Sequence, residues 1–146
     1  MSEIKDKLVQ LLNDFVSNTN VSDSSLITED GLVIVLNNNQ DEDISSNFAA
    51  TSASILSMAE RGIEIINKNK ILEQITIDAG LNHNFENDFT ILITRIFSNV
   101  LLQIIFPKRI NIGLIDFETN KIIKKIKNII EKDISRELFK SIGSLT

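Results

Sequence analysis

Few residues in this sequence have the types and the spacing that nucleotide chemistry requires. No G-x-x-x-x-G-K-[ST] segment is present, so the chain lacks the phosphate-binding loop of P-loop proteins. Segment 67–70, Asn-Lys-Asn-Lys, is similar to the guanine-reading motif N-K-x-D, but Lys70 stands where that motif requires aspartate. We therefore expect no nucleotide binding by the chain alone, no catalytic residues and no cofactor.

The titratable residues give equally weak signals for a metal or an acid–base pair. With one histidine, His83, and no cysteine, a zinc site is not expected. The acidic segment 41–43 lacks the D-x-D-x-D-G spacing of a calcium-binding loop. Asp78, Glu86 and Asp88 are carboxylates that could pair, but a solvated loop is the preferred interpretation. The sequence predicts no metal site.

The last long helix predicted from the sequence, 111–132, is basic and amphipathic. Its lysines are Lys121, Lys124, Lys125, Lys127 and Lys132. This pattern occurs in helices that lie on a membrane surface or bind an acidic partner. It also occurs in helices whose isoleucines face the core and whose lysines face water, and that interpretation is preferred here.

Composition and charge limit the class of protein. A length of 146 residues suits a single domain, and a hydrophobic content of 42% is too high for a disordered chain. The net charge of −5 argues against nucleic acid as the main partner, because phosphate binding needs a basic surface. The sequence shows neither the apolar h-region of a signal peptide nor an apolar run that could span a membrane. We expect a soluble cytoplasmic protein.

The central element is a predicted helix over 44–67, whose apolar residues recur at steps of three and four. Its main stripe, expected to face a sheet, consists of Phe48, Ser52, Ile55, Ala59, Ile63 and Ile66. The arc is widened by Ala49, Ala53 and Leu56 on one side and by Thr51, Met58 and Ile65 on the other. It covers roughly two-thirds of the circumference, more than the single stripe of a surface helix. This width predicts a helix shared with a second subunit; a helix buried in its own chain is the alternative.

The remaining pattern predicts two more long helices and five strands. The helices are 3–16 and 111–132, and the strands are 25–28, 32–36, 73–78, 89–94 and 100–106. A loop is expected over 79–87, and Asp133 is expected to cap a further short helix.

Strands 32–36 and 100–106 are nearly continuous apolar runs, which indicates that both faces of the sheet are covered. The predicted fold class is α+β. It is a three-layer α/β/α sandwich with a five-stranded antiparallel sheet, the central helix on one face and the first and last helices on the other. The expected division is a domain over 1–132 and a short C-terminal helical extension over 133–146.

This order of elements resembles the roadblock family. The resemblance rests on segments 29–34, 49–61, 75–80 and 111–115. It implies a dimer in which the third strands pair edge to edge and the central helices lie side by side, with a second copy or with another roadblock protein. It also implies a platform for a Ras-like small GTPase. The expected dimer-interface residues are Ala49, Ala53, Leu56, Gln74 and Thr76. The expected GTPase-facing residues are Ser54, Ser57, Arg61 and Glu64.

Two other functions are alternatives to a GTPase platform, and one other surface is an alternative site for binding the GTPase. A GTPase-activating protein would need to supply or order catalytic groups. The arginines available for this are Arg61, Arg95, Arg109 and Arg136. A small-molecule sensor ranks last, because the sequence offers no converging polar cluster. The lysine-bearing last helix is the competing surface for a GTPase.

Overall fold

The computed structural model of the chain describes residues 2–37, 40–81 and 84–144, with side chains described over 3–37, 40–80 and 87–134. The elements in chain order are α1 (Ser2–Thr19), β1 (Asp23–Thr28), β2 (Val33–Leu36), α2 (Glu42–Ile66), β3 (Gln74–Leu81), β4 (Asn84–Phe97), β5 (Val100–Pro107) and α3 (Ile112–Ser144). Within the described part of the chain, no helix is long and apolar enough to cross a membrane.

The five strands form one antiparallel sheet in the order β2-β1-β5-β4-β3. One face of the sheet packs on α2 through a core that includes Ile27, Leu56, Ile93 and Leu101. The other face packs on α1 and α3 through a second core. This second core includes Leu12, Leu102, Ile104 and Ile126. The predicted α/β/α sandwich is therefore confirmed, and β2 and β3 are the two edges of its sheet.

The predicted loop over 79–87 is wrong, because β3 extends to Leu81 and β4 begins at Asn84. These residues continue an antiparallel ladder in which Ala79 pairs with Phe89. Ladder pairing uses backbone groups, so it tolerates the polar side chains that are typical of a loop. His83 lies outside the described residues.

Asp78 and Asp88 are consequently strand residues, and the interpretation of a solvated loop is corrected for both. The Asp78 carboxylate accepts a hydrogen bond from the Thr90 hydroxyl at 2.7 Å. The Asp88 side chain is buried beside Gly80, where an added Cβ would lie 2.6 Å from Asp88 Oδ2. The Glu86 side chain lies outside the described residues.

The last helix does not end at Lys132. It continues as α3 to Ser144, so Asp133 lies inside the helix and caps no new one. No proline or glycine interrupts residues 132–142, and these are the residues that break helices most strongly. The side chains beyond Ile134 lie outside the described ones.

Candidate protein interaction site

The helix α2 begins at a capped end, and this assigns a role to the acidic segment before it. Asp41 is the N-cap residue, and its carboxylate accepts hydrogen bonds from the backbone N–H groups of Asp43 at 2.9 Å and Ile44 at 3.1 Å. Such a cap satisfies donors that have no partner inside the helix. Among the described residues, no group of three or more acidic or histidine side chains could hold a metal ion.

The side of α2 that faces the sheet differs from the predicted one. Ala49 and Leu56 are core residues of the single chain, 0% and 2% exposed, so neither can offer contact surface to a partner while this core is intact. Between them lies Ser52, whose hydroxyl donates to Gln103 Oε1 in β5 at 2.5 Å. Ile66, expected to face the sheet, is exposed instead. Relative to the predicted orientation, α2 is rotated about its own axis by about 50°, which is half of the angle between successive residues.

Gly31 in the turn between β1 and β2 shows which flank of α2 is covered by the chain itself. A Cβ on Gly31 would lie 2.9 Å from Ala50 Cα and 3.2 Å from Ala53 Cβ, and Gly31 has a φ of +92°. This close approach leaves Ala53 half-buried. The β1–β2 hairpin forms one edge of the sheet, so the opposite flank of α2 lies toward the other edge, β3.

That opposite flank is largely apolar, and we call it the open flank of α2. It consists of Ile44, Phe48, Thr51, Ile55, Met58, Gly62 and Ile65. These residues alternate at steps of four and three, which is the heptad spacing of a helix that packs against another helix. They are exposed except Phe48 and Ile55, which are half-buried, and Phe48 also packs on the core. Met58 is 73% and Ile65 is 86% exposed. The open flank lies outside the predicted interface, although the seven-residue spacing of Ile44, Thr51, Met58 and Ile65 could have identified it.

The edge strand β3 lies at the sheet edge toward which the open flank faces, and its exposed polar side chains point away from α2. Gln74 and Thr76 are exposed on β3, while Ile75 and Ile77 point to the other face and pack on the core beneath α2. Ile71, just before the strand, is also exposed. Of the predicted dimer-interface residues, the structure therefore brings Gln74 and Thr76 to the exposed edge strand and places Ala49, Ala53 and Leu56 elsewhere.

The predicted GTPase-facing residues form one exposed row. Ser54, Ser57, Arg61 and Glu64 recur at steps of three and four and are all exposed on α2. At 100° per residue, their row lies on the side of the helix away from the buried Ser52. Their predicted exposure is confirmed, and their role in binding stays a prediction.

Arg95 is held inside the structure, unlike Arg61 and Arg109, which are exposed. Its side chain is 9% exposed, and its Nε donates to the carbonyl oxygen of Leu72 at 2.9 Å. Its two terminal nitrogens donate to the carbonyl of Ser98 and to the carboxylate of Glu60. Arg95 therefore joins α2, the connection to β3 and the β4–β5 turn, and it is not free to reach a bound nucleotide. The Arg136 side chain lies outside the described ones.

We expect Arg95→Met to lower the free energy of unfolding by about 1–3 kcal/mol, because two carbonyl groups and a carboxylate lose their donors. Urea denaturation followed by circular dichroism measures this change. The matched control is Arg61→Met on the exposed row, which should change the stability by less than about 0.5 kcal/mol. An equal loss in both variants would mean that the contacts of Arg95 do not stabilise the fold.

Comparison with known proteins gives results for structure and none for sequence. No family model matches the chain, and no curated protein matches it. A roadblock/LC7 domain from Streptomyces avermitilis matches with a TM-score of 0.72 and 14% identity, over 84% of this chain and 96% of that domain. MglB from Myxococcus xanthus matches with a TM-score of 0.70 and 19% identity, over 86% of this chain and 96% of MglB.

A further MglB structure, described as having a tetrameric arrangement, matches with a TM-score of 0.72 and 12% identity, over 88% of this chain and 91% of that one. Identities this low show a shared architecture and do not transfer a function. The agreement covers nearly the whole length of the matched domains, and it confirms the resemblance predicted from the four segments. The chain has the roadblock fold.

Proposed function

We propose that this protein is a dimeric adaptor or regulator that binds a Ras-like small GTPase and has no catalytic site of its own. The observation that carries the proposal is the open flank of α2 in a roadblock fold. It is a largely apolar surface, exposed at Ile44, Met58 and Ile65, that lies toward the edge strand β3 and on the same helix as an exposed polar row. The resemblance to the roadblock family supplies the class of partner.

The open flank supports dimer formation through α2 and β3. Large exposed apolar patches are rare on monomeric proteins and mark interfaces. A two-fold axis beside β3 would join the two strands edge to edge and bring the two open flanks together. An added Cβ on Gly62 would have no atom within 4 Å, so a second helix can approach this flank closely. A heterodimer with another roadblock protein would use the same surface.

Within this dimer, Met58 and Ile65 replace Ala49 and Leu56 as the central interface residues. Gln74 and Thr76 keep their predicted place at the strand edge. Ala53 is excluded from the contact, because it packs beside the β1–β2 turn.

The exposed row of Ser54, Ser57, Arg61 and Glu64 is the proposed GTPase-binding surface. The two rows of a dimer would lie next to each other and make one wide surface from two narrow ones. The serines keep this surface flat, and the charges of Arg61 and Glu64 orient a partner with complementary charges.

We expect Arg61→Glu to raise the Kd for the GTPase about tenfold or more, since it puts a repulsive charge in the centre of the row. The GTPase is first captured from a lysate of the source cells on the immobilised protein, identified by mass spectrometry, and then titrated by calorimetry with a non-hydrolysable GTP analogue bound. The double variant Lys121→Glu/Lys125→Glu is the control on the opposite side of the sheet, and its Kd should stay within about twofold of the unaltered protein.

The proposed surface is wrong if the lysine variant abolishes GTPase binding and Arg61→Glu does not change it. In that case the GTPase binds to α3. Phosphate release by the GTPase, timed with and without the protein, distinguishes an adaptor from an activator.

A further inference from the structure

The charge of this chain is distributed unevenly, with a basic segment that covers the turn before α3 and the first half of α3. Residues 108–128 contain six basic and two acidic residues, whereas the whole chain contains 15 basic and 20 acidic ones. The segment therefore has a net charge of +4 inside a protein of net charge −5. A local excess of positive charge on an acidic protein favours contact with an anionic surface.

The same part of α3 exposes large apolar side chains. Phe117 is 65% exposed, and Leu114 is also exposed, while Ile115, Ile122 and Ile126 are buried against the sheet and α1. If the isoleucines alone were apolar and the lysines simply faced water, as preferred from the sequence, positions 114 and 117 would be polar. The helix thus has a second set of apolar side chains, Leu114 and Phe117, that do not pack in the core.

These apolar and basic side chains share one face of the helix. At 100° per residue, Leu114, Phe117, Lys121, Lys124 and Lys125 lie within about 100° of one another and opposite the buried isoleucines. We call them the α3 ridge. All five are exposed to solvent. The ridge is convex, because it projects from the outer side of a helix that packs on the sheet and α1.

We propose that the α3 ridge binds an anionic lipid surface, with Phe117 and Leu114 entering the headgroup region and the lysines contacting the negatively charged headgroups. Interfacial helices combine a lysine-rich polar side with Phe and Leu in this way. The sheet separates the ridge from the exposed row on α2, so a membrane on one side would leave the other side accessible to a protein partner.

The shape and the charge of the α3 ridge favour a lipid surface over an acidic protein as its occupant. A lipid surface needs no matching groove and accepts a convex ridge, whereas a protein partner must be complementary in shape. The lysines lie along the helix beside the apolar pair and form no ion pair at 4.0 Å or less in the described structure. Headgroup charge is diffuse, so it attracts lysines in this arrangement without fixed partners.

The test is co-sedimentation of the full chain with vesicles of phosphatidylcholine, alone or with about one third phosphatidylserine. The unaltered protein should bind the anionic vesicles at low salt, release from them at high salt, and not bind phosphatidylcholine alone. Lys121→Glu/Lys125→Glu should lower the partition coefficient at least about 25-fold, because each lysine contributes about fivefold. Phe117→Ser should lower it about tenfold, through loss of apolar contact.

The matched control is Lys68→Glu/Lys70→Glu, which makes the same change of charge at exposed positions beyond the end of α2. This variant should keep its partition coefficient within about twofold of the unaltered value. Circular dichroism checks that all variants are folded.

The proposal is overturned if the unaltered protein does not sediment with anionic vesicles, if it binds both kinds of vesicle equally, or if the control loses as much binding as the test variant. Capture of an acidic protein by the ridge, without vesicle binding, would also overturn it. The outcome is independent of the proposed GTPase function, which requires Lys121→Glu/Lys125→Glu to keep its affinity for the GTPase.

Discussion

The double variant Met58→Glu/Ile65→Glu is expected to be a folded monomer at concentrations where the unaltered protein is a dimer. Both side chains extend into solvent from the single chain, at 73% and 86% exposure, so neither substitution disturbs the core. In the proposed dimer, the same positions meet across the two-fold axis and become buried.

The expected loss of affinity is large because the symmetry doubles each change. Four apolar side chains lose their burial, each contributing about 1.5–3 kcal/mol, and four carboxylates would have to enter the interface. Arg61, one turn away on the same helix, can pair with one of the two new carboxylates in each chain and leaves the other uncompensated. We therefore expect the Kd of the dimer to rise more than about a thousandfold.

Light scattering across a range of protein concentrations measures the mass, and circular dichroism verifies the fold. Ser54→Glu/Ser57→Glu is the matched control, with the same change of charge on the exposed row of the same helix. It should remain a dimer. If the control dissociates and the Met58→Glu/Ile65→Glu protein stays dimeric, the subunits meet through the exposed row and the proposed interface is wrong.

The architecture could be predicted because it depends on local patterns that repeat along the chain. The apolar runs at β2 and β5 require cover on both sheet faces, and the amphipathic helices supply it. The width of the apolar arc on α2 likewise predicted that a single chain leaves part of this helix as an exposed apolar patch, and Met58 and Ile65 are exposed. The predicted layers of the fold stay the same even if the ends of an element are misplaced by a residue or two.

The rotation of α2 could not be predicted, because contacts between distant parts of the sequence determine it. Ser52 bonds to Gln103, which lies 51 residues further along the chain, and both side chains are buried. A buried hydroxyl needs a partner, and this bond holds Ser52 toward the sheet, as its place in the predicted stripe requires. The packing of Ala49 and Leu56 in one core with Ile27 and Leu101, which are also distant in sequence, accounts for the remaining rotation. From spacing alone, either half of a wide apolar arc can face the core.

The exposure of Phe117 on α3 likewise could not be predicted from the periodicity of the sequence. The positions of Ile115, Ile122 and Ile126 identify the buried side of the helix. Phe117 lies on the opposite side of the helix, and whether another part of the chain covers it depends on tertiary packing, which spacing alone does not give. The length of β3 and β4 was missed for a related reason, because backbone pairing extends past the last apolar side chain.

Leu56→Glu is expected to abolish the fold, in contrast to charges on the open flank of the same helix. Leu56 belongs to a core cluster whose buried members include Ile27, Ile93 and Leu101 from three strands. Removing the leucine costs about 2–5 kcal/mol, and an unpaired carboxylate in its place costs several more. The sum approaches the total stability of a domain of this size, about 5–15 kcal/mol.

The measurement for Leu56→Glu is circular dichroism and the yield of soluble protein, with Leu56→Met as the matched control. Methionine conserves the volume, so the control should lose less than about 1.5 kcal/mol and remain dimeric. A folded, monomeric Leu56→Glu protein would place this side chain in the subunit interface after all. The observed rotation of α2 requires two results together: Leu56→Glu is unfolded, and Met58→Glu/Ile65→Glu is a folded monomer. This pair of results would mean that one side of α2 packs in the core and a different side contacts the partner subunit.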